Sequence, residues 1–334
     1  GTLFAGLDGL GVARSTDGGF SWTVVNSGIA SQRIFSIATR PGGLLLAGTQ
    51  SGVFRSTNRG DTWTASGAGP SGFVRAFVVN ASAGELFAGS GVGIHRSTDE
   101  GATWTLSTTG LGTMNVGSLL RTIAGDLFAG VNGGVFRSTD DGLNWLPATD
   151  SLPSSFVNAL AVGPGGILYA STVDSGVYVS TNNGLSWHAE NTGLPDRDGF
   201  FATTSLTVSP SGSLFLGTSG AFEAIPAGVY RSTQPITSAV IAPEELPHTF
   251  SLFQNYPNPF NPLTMIRYDL TARTRVVITV YDLLGREMAT LRDQTEDPGG
   301  HAVAWNADRL SGGVYFCRMR AGAQISTMRM VLVK

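Results

Sequence analysis

The chain has 334 residues but only one lysine, Lys334, one cysteine, Cys317, and four histidines. A single cysteine excludes an intrachain disulfide framework and a thiolate metal cluster. It does not assign a redox compartment, because a chain of this length can bury an adequate core without crosslinks. Charge is also scarce, at 13% of residues with a formal net charge of −3. Residues 1–235 carry 11 Arg against 15 Asp and Glu, and residues 236–334 carry 10 Arg and Lys against 9. Neither part has the basic surface of a nucleic-acid binder, so no nucleic-acid partner is expected. No apolar run approaches the ~18 residues of a membrane-spanning helix, so no transmembrane segment is expected. His95, His188, His248 and His301 have no partners at metal-ligand spacing. No metal and no cofactor are expected. The chain opens at Gly1, within a repeat and without a signal-peptide pattern, and is read as a fragment or a processed form.

Glycine is abundant, with 45 residues, and much of it belongs to a repeat. The repeat reads GVARSTDGGFSW at 11–22, GVFRSTNRGDTW at 52–63, GIHRSTDEGATW at 93–104, GVFRSTDDGLNW at 134–145 and GVYVSTNNGLSW at 176–187. Each copy fits Ser-x-Asp/Asn-x-Gly-x-x-Trp. The matching residues are Ser15, Asp17, Gly19 and Trp22; Ser56, Asn58, Gly60 and Trp63; Ser97, Asp99, Gly101 and Trp104; Ser138, Asp140, Gly142 and Trp145; and Ser180, Asn182, Gly184 and Trp187. A shorter copy, GVYRST, lies at 228–233. A period near 41 residues signals a solenoid, an array or a propeller. Runs such as LFAG and GVFRS, bounded by glycine and lacking a helical apolar stripe, are strand signals. The second unit predicts strands over Ile34–Thr39, Leu44–Thr49, Gly52–Thr57 and Thr62–Ser66. Later inner strands are predicted near Val74–Val79, Val116–Thr122, Val157–Val162 and Thr203–Val208. A four-stranded sheet cannot cover both faces alone, and radial stacking on its neighbours solves that. The expected fold is all-β: a β-propeller over 1–235 with about six blades visible, the first incomplete. A Pro-containing linker over 236–249 follows, with Ile236–Ile241 a candidate outer strand. About seven short strands over 250–334 predict an Ig-like β-sandwich.

The Asp position falls at a hairpin turn, where a short oxygen acceptor bonds nearby backbone N–H groups. Asn58 and Asn182 keep that acceptor and lose the charge. A catalytic acid or a cation ligand would need the charge, so these positions read as structural. The motif resembles the Asp-box, or BNR, repeat of sialidase-like propellers, a resemblance that covers about 1–233. It implies a fold rather than one function, with the Asp boxes on the outer edge, away from the active face. A sialidase site would by resemblance need three convergent arginines, a Tyr nucleophile with a Glu partner, and an Asp acid/base. Tyr169, Tyr178 and Tyr230 all occupy repeat slots, so that activity is not expected. The catalytic set is therefore read as empty, with Asp196, Asp198 and Glu223 as the loop carboxylates that a glycoside hydrolase would use. Ligand binding falls to the irregular loops between motif copies. The candidate binding residues are Arg33, Arg75, Asn115, Phe156 and Arg197, and Arg33 and Arg75 begin inner strands where a central funnel opens.

Residues 250–334 contain Gln254-Asn255-Tyr256-Pro257-Asn258-Pro259-Phe260-Asn261-Pro262, then Tyr281-Asp282-Leu283-Leu284-Gly285-Arg286, then Gly313-Val314-Tyr315 and the terminal Lys334. This closely resembles the type A C-terminal sorting domain of the type IX secretion system. The resemblance implies that the secretion machinery and its sortase are partners of 250–334. It also implies cleavage in the linker and a secreted or outer-membrane-surface location in a Gram-negative bacterium. The function expected is a non-enzymatic propeller that binds an extracellular glycan or protein. An extracellular glycoside hydrolase and a passive spacer in a larger surface protein are the alternatives.

Overall fold

The computed structural model describes the chain except residues 41, 81–83, 113, 195–199, 220–226 and 234–248. It divides into two compact units, Gly1–Thr237 and Ser238–Lys334. Among the described residues the one helical turn is Pro164–Gly166, and everything else with regular structure is strand.

The first unit is a β-propeller whose described sheets all run antiparallel. The second sheet sets the pattern, with Ile34–Thr39, Leu45–Thr49, Gly52–Ser56 and Thr64–Ala65 paired in sequence order. The next three sheets begin at Val74–Asn80, Val116–Arg121 and Val157–Val162 and repeat it. Among the described residues the first sheet has three strands, starting at Leu3–Leu7, and so does the last, starting at Thr203–Val208. First strands of successive sheets lie side by side, which places them around the axis. Ile236–Ile241 falls outside the described residues.

The cores lie between sheets, not within them. Val12 and Ile29 from the first sheet pack with Leu45, Phe54 and Trp63 from the second. Ile94 and Leu111 pack with Val116, Phe136 and Trp145 one sheet boundary further on. Trp63, Trp104, Trp145 and Trp187 therefore reach back onto the preceding sheet. The Trp63 indole N–H donates to the Val25 carbonyl at 2.8 Å, and the Trp187 indole N–H donates to the Ala148 carbonyl at 2.8 Å. Trp63, Trp104, Trp145 and Trp187 are all buried, whereas Trp22 is 45% exposed and bonds only to Gly19 of its own turn.

This packing also explains the outer strands. The sequence predicts Thr62–Ser66 in the second sheet, and the strand there is Thr64–Ala65, two residues like the other described outer strands. The Trp63 backbone N–H is used by the Ser27 carbonyl of the preceding sheet at 2.8 Å, and the Thr62 N–H by Asn58 Oδ1 at 3.0 Å. Neither can enter the ladder, so pairing starts at Thr64.

Glycine sets the close approach near the axis. A Cβ on Gly89 would lie 2.6 Å from Val116 Cγ1 of the next sheet. The bare backbone lets that first strand seat directly against it.

Among its described residues the second unit has seven strands in two sheets. One holds Ser251–Leu252, Leu263–Leu270 and Gly299–Asn306. The other holds Glu287–Glu296, Thr274–Tyr281, Gly313–Ala321 and Gln324–Leu332, in that spatial order. Ile266 and Tyr268 of the first sheet share one core with Ile278, Cys317 and Met330 of the second. The strand Glu287–Glu296 runs on through exposed polar residues such as Asp293 and Gln294, which pair with Val277 and Val276 of its neighbour.

Candidate ligand-binding site

The motif hairpins and the axial ends of the sheets are at opposite ends of the strands. In the second sheet Ile34 pairs with Thr49 and Thr49 with Gly52, while Thr39 pairs with Leu45 and Leu45 with Ser56. The hairpin begins at Ser56, so it leaves the sheet about 15 Å from Ile34 at ~3.4 Å per strand residue.

At the hairpin, Asp17 Oδ1 accepts from the Ser15 hydroxyl at 2.8 Å and the Ser21 N–H at 3.0 Å, and Oδ2 accepts from the Ser21 hydroxyl at 2.5 Å. These donors hold its carboxyl well below the usual carboxylate range, the Ser21 hydroxyl contributing most. Asn58 keeps the same geometry with one bond reversed. Its Oδ1 accepts from the Ser56 hydroxyl at 2.8 Å, and its Nδ2 donates to Thr62 Oγ1 at 2.8 Å. The motif Gly has a second constraint that turn chemistry alone does not reveal. Gly142 has φ +77°, and a Cβ there would lie 2.6 Å from the Phe87 ring of the preceding sheet. The Arg of the third strand is tied down as well. Arg137 Nη2 pairs with Asp126 at 2.6 Å, Arg96 pairs with Glu85, and Arg14 Nη1 pairs with Asp61 at 2.6 Å. Leu44 stands where Glu85 and Asp126 stand in later sheets, and Arg55 Nε is buried without a partner.

The axial end is built differently. The first strand of each described sheet from the second to the sixth is bulged one residue after its start. The register shifts fall between Ile34 and Ser36, Val74 and Ala76, Val116 and Ser118, Val157 and Ala159, and Thr203 and Ser205. The bulged residues are Phe35, Arg75, Gly117, Asn158 and Thr204. A bulge leaves its residue out of the ladder and re-aims its side chain. All five line one cavity of about 510 Å³, together with Phe156, Val173, Phe200, Ala202, Thr203 and Ser219. That volume lies within the ~300–1,000 Å³ typical of small-ligand sites.

Arg75 is the one cation among the described lining residues. Its Nη1 donates to Asn115 Oδ1 at 2.9 Å, and its guanidinium carbon sits 5.2 Å from the centre of the Phe73 ring. Phe73 in turn meets Phe35 edge-on, with centroids 5.3 Å apart. Among the described residues the lining includes no carboxylate. Asp174, next in sequence to Val173, accepts from the Ser155 hydroxyl at 2.5 Å and the Ser175 hydroxyl at 2.7 Å.

Of the binding residues expected from sequence, Arg75 and Phe156 line this cavity, and Asn115 stands behind Arg75. Arg33 does not join them. It turns to Asp8, with Nε donating to Oδ1 at 2.7 Å, and this lowers the Asp8 pKa through the hydrogen bond first and the opposite charge second. Arg197, Asp196, Asp198 and Glu223 lie outside the described residues. Sequence reasoning missed Phe35, Phe73, Asn158, Thr204 and Phe200. Superposing the five strand starts and reading one residue on would have found the bulge positions. No group of His, Cys, Asp and Glu able to hold a metal occurs among the described residues.

In the second unit the Pro-rich stretch is bound to the last strand. Phe260 is buried against Trp305, and its N–H donates to the Val331 carbonyl at 2.9 Å. Asn258 Oδ1 accepts from the Val331 N–H at 2.9 Å, and buried Asn255 donates to Thr264 Oγ1 at 2.9 Å. Pro262 supplies its carbonyl to the Ala307 N–H. Asp282 closes its hairpin by accepting from the Leu284 and Arg286 N–H groups, both at 2.9 Å, with Gly285 at φ +76°. Tyr281 lies under Arg318, the Tyr315 hydroxyl donates to the Ser311 carbonyl, and Lys334 Nζ donates to the Asp308 carbonyl.

Residues 254–334 match the family model of the secretion system C-terminal sorting domain. Residues 76–232 match that of the DUF6242 beta propeller domain. No curated protein sequence matches the chain. Among solved structures, the GH74 xyloglucanase of Xanthomonas campestris is 19% identical with a TM-score of 0.57, over 70% of this chain and 42% of that one. PorZ, a bacterial surface component of the type IX secretion system of Porphyromonas gingivalis, is 16% identical with a TM-score of 0.51, over 100% of this chain and 58% of that one. The extracellular domain of BT3049 from B. thetaiotaomicron is 12% identical with a TM-score of 0.57, over 99% and 48%. The chain thus spans about half the length of these proteins, and the likeness is one of fold. No helix among the described residues is long and apolar enough to cross a membrane. The sorting domain directs export by type IX secretion, and the protein is secreted or held at the outer-membrane surface.

Proposed function

We propose that this protein is an Asp-box (BNR-type) propeller that binds an extracellular glycan or protein at its axial cavity and does not turn it over. The supporting observation is the lining itself: among the described residues it offers aromatic side chains, one amide and one arginine, and no carboxylate. Hydrolysis of a glycosidic bond needs two carboxyl groups about 5–10 Å apart. In this reading the propeller occupies 1–235 as about six blades, the motif residues are structural, and 250–334 is an Ig-like sandwich removed by a sortase that cuts within 236–249. Binding of the exported protein to bacterial surface polysaccharides, host glycans and secreted proteins tests it. Capture should fall at least tenfold in Phe156→Ala with the thermal midpoint unchanged; capture unaffected by that change removes the cavity from the account.

One observation favours a second reading. Phe200 and Ser219 line the cavity, and the stretches 195–199 and 220–226 that adjoin them in sequence carry Asp196, Asp198 and Glu223. Release of reducing ends from a polysaccharide panel, lost in Asp196→Ala or Glu223→Ala, would make the protein a glycoside hydrolase.

A further inference from the structure

We propose that the axial cavity takes the carboxylate end of a polypeptide, with the apolar side chains that precede it laid against the phenylalanines. The proposal rests on the binding reading above and names its ligand class.

Arg75 shares the lack of a carboxylate partner with Arg231, which bonds to Ser213 Oγ and lies over the Phe215 ring but does not line the cavity. Arg14, Arg33, Arg40, Arg96, Arg121 and Arg137 each pair with a carboxylate. Arg75 faces a cavity and has no carboxylate partner among the described residues. It is nonetheless held in place: Asn115 takes one terminal nitrogen and the Phe73 ring lies beneath the guanidinium plane. Asn115 engages Nη1 alone, so neither contact uses the Nε–Nη2 edge, and such an edge matches a carboxylate bidentately. An unpaired guanidinium among phenylalanines is costly to desolvate, and an incoming anion offsets that cost.

The rest of the lining decides between a peptide end and an acidic sugar. A sugar ring carries a hydroxyl on most carbons, and each needs a partner once it leaves water. Few partners are open. Asn158 Nδ2 already donates to the Thr203 carbonyl, and its Oδ1 accepts from Ser171 at 2.7 Å. Thr203 Oγ1 donates to the Thr172 carbonyl, and Ser219 Oγ to the Ala202 carbonyl. Phe35, Phe156 and Phe200 offer apolar surface with no hydrogen-bonding group at the ring edge. One fixed cation beside apolar walls suits a ligand with one charge and apolar side chains.

The test uses the full chain and fluorescein-labelled pentapeptides ending in Leu or Phe, each as free acid and as carboxamide, measured by anisotropy. Oligogalacturonides and neutral xylo-oligosaccharides are run beside them. The free acid should bind at least tenfold more tightly than the amide. Arg75→Gln should abolish that difference, and Arg121→Gln, which alters an Arg outside the cavity, should preserve it. Equal binding of acid and amide overturns the proposal, as does an acid preference that survives Arg75→Gln. Arg75-dependent binding of oligogalacturonides without peptide binding overturns the peptide end while leaving the cavity as the binding site. Failure of every probe, with Arg75→Gln as stable as the parent chain, counts against both readings.

Discussion

The exchange of Asp for Asn in the motif can be used to separate a turn from a ligand site. In the third sheet Asp99 Oδ1 accepts from the Ser97 hydroxyl at 2.8 Å and the Thr103 N–H at 2.9 Å, and Oδ2 accepts from the Thr103 hydroxyl at 2.6 Å. Asp99→Ala removes all three. Each bond contributes about 0.5–1.5 kcal/mol, and because the hairpin is exposed the freed donors recover water, which gives a loss of about 1–2 kcal/mol. Asp99→Asn should behave as the second sheet does natively, where Asn58 donates to Thr62 Oγ1. The Thr103 hydroxyl then only rotates from donor to acceptor, and the change at pH 7 should stay within about 0.5 kcal/mol. The acid limb has a definite sign. The Thr103 hydroxyl, then its N–H, pull the Asp99 carboxyl from 3.8 to about 2. A depressed carboxyl stabilises the fold above its unfolded pKa, and that contribution is lost as pH falls through the folded value. Between about pH 4 and pH 2 the parent chain should therefore lose stability that Asp99→Asn retains. Denaturation followed by tryptophan emission reads this out, since five of the six tryptophans lie in the propeller. If Asp99→Asn costs as much as Asp99→Ala at pH 7, the charge itself is needed and the reading of the hairpin as a turn fails.

Three further outcomes follow from the packing. Trp63→Ala should cost about 3–5 kcal/mol and Trp22→Ala about 1 kcal/mol, because Trp63 is buried and bonded to the preceding sheet while Trp22 is 45% exposed; equal losses in denaturant midpoint would refute the inter-sheet role of the Trp. Gly142→Ala should cost more than about 2 kcal/mol, adding a clash with Phe87 to the left-handed strain, whereas Gly133→Ala, at φ +102° with nothing within 4 Å of its Cβ, should show the strain alone, about 1 kcal/mol; thermal melts compare them. Cys317 is fully buried, and burial pushes its thiol up to about 12. It should resist a disulfide reagent at pH 8 until the chain is unfolded, and rapid labelling of the native protein would contradict the core. Because this pKa is raised, stability should also decline as pH climbs from about 9 toward 12.

The strands of the propeller could be read from the sequence because the 41-residue beat repeats the same apolar runs between the same turns. The two-residue outer strands could not. Their length depends on where the Trp63 and Thr62 backbone N–H groups go, and those partners lie in another sheet or in a side chain. The second role of the motif glycine was hidden for the same reason, since Phe87 belongs to the preceding unit. At the axial end, Arg33 and Arg75 look alike in sequence, each beside the first β-branched residue of an inner strand. The bulge separates them: Arg75 follows Val74 and is re-aimed, while Arg33 precedes Ile34 and reaches Asp8. Bulges leave no mark in an alternating pattern, so Phe35, Asn158 and Thr204 stand out as a set only when the strand starts are superposed.

The same geometry explains why one repeat can carry different ligand chemistry in each copy. Residues between sheets are held on two sides, the Trp by the sheet before and the small residue of the second strand by the sheet after. A bulged residue has neither constraint, because it pairs with no ladder partner and faces the cavity. The strand starts stay β-branched, at Ile34, Val74, Val116, Val157 and Thr203, while the next position is Phe, Arg, Gly, Asn or Thr. Two of them are exceptions: Asn158 donates to the Thr203 carbonyl of the next sheet, and Gly117 has no room for a side chain. A Cβ there would lie 2.6 Å from Phe156 Cζ and 2.6 Å from the Val157 carbonyl oxygen, one of them backbone that cannot swing aside. Its size is set by the Phe156 ring lying over it, so those two positions act as one. A change of ligand therefore has to run through Phe35, Arg75 and Thr204, and of these only Arg75 brings a charge to the cavity.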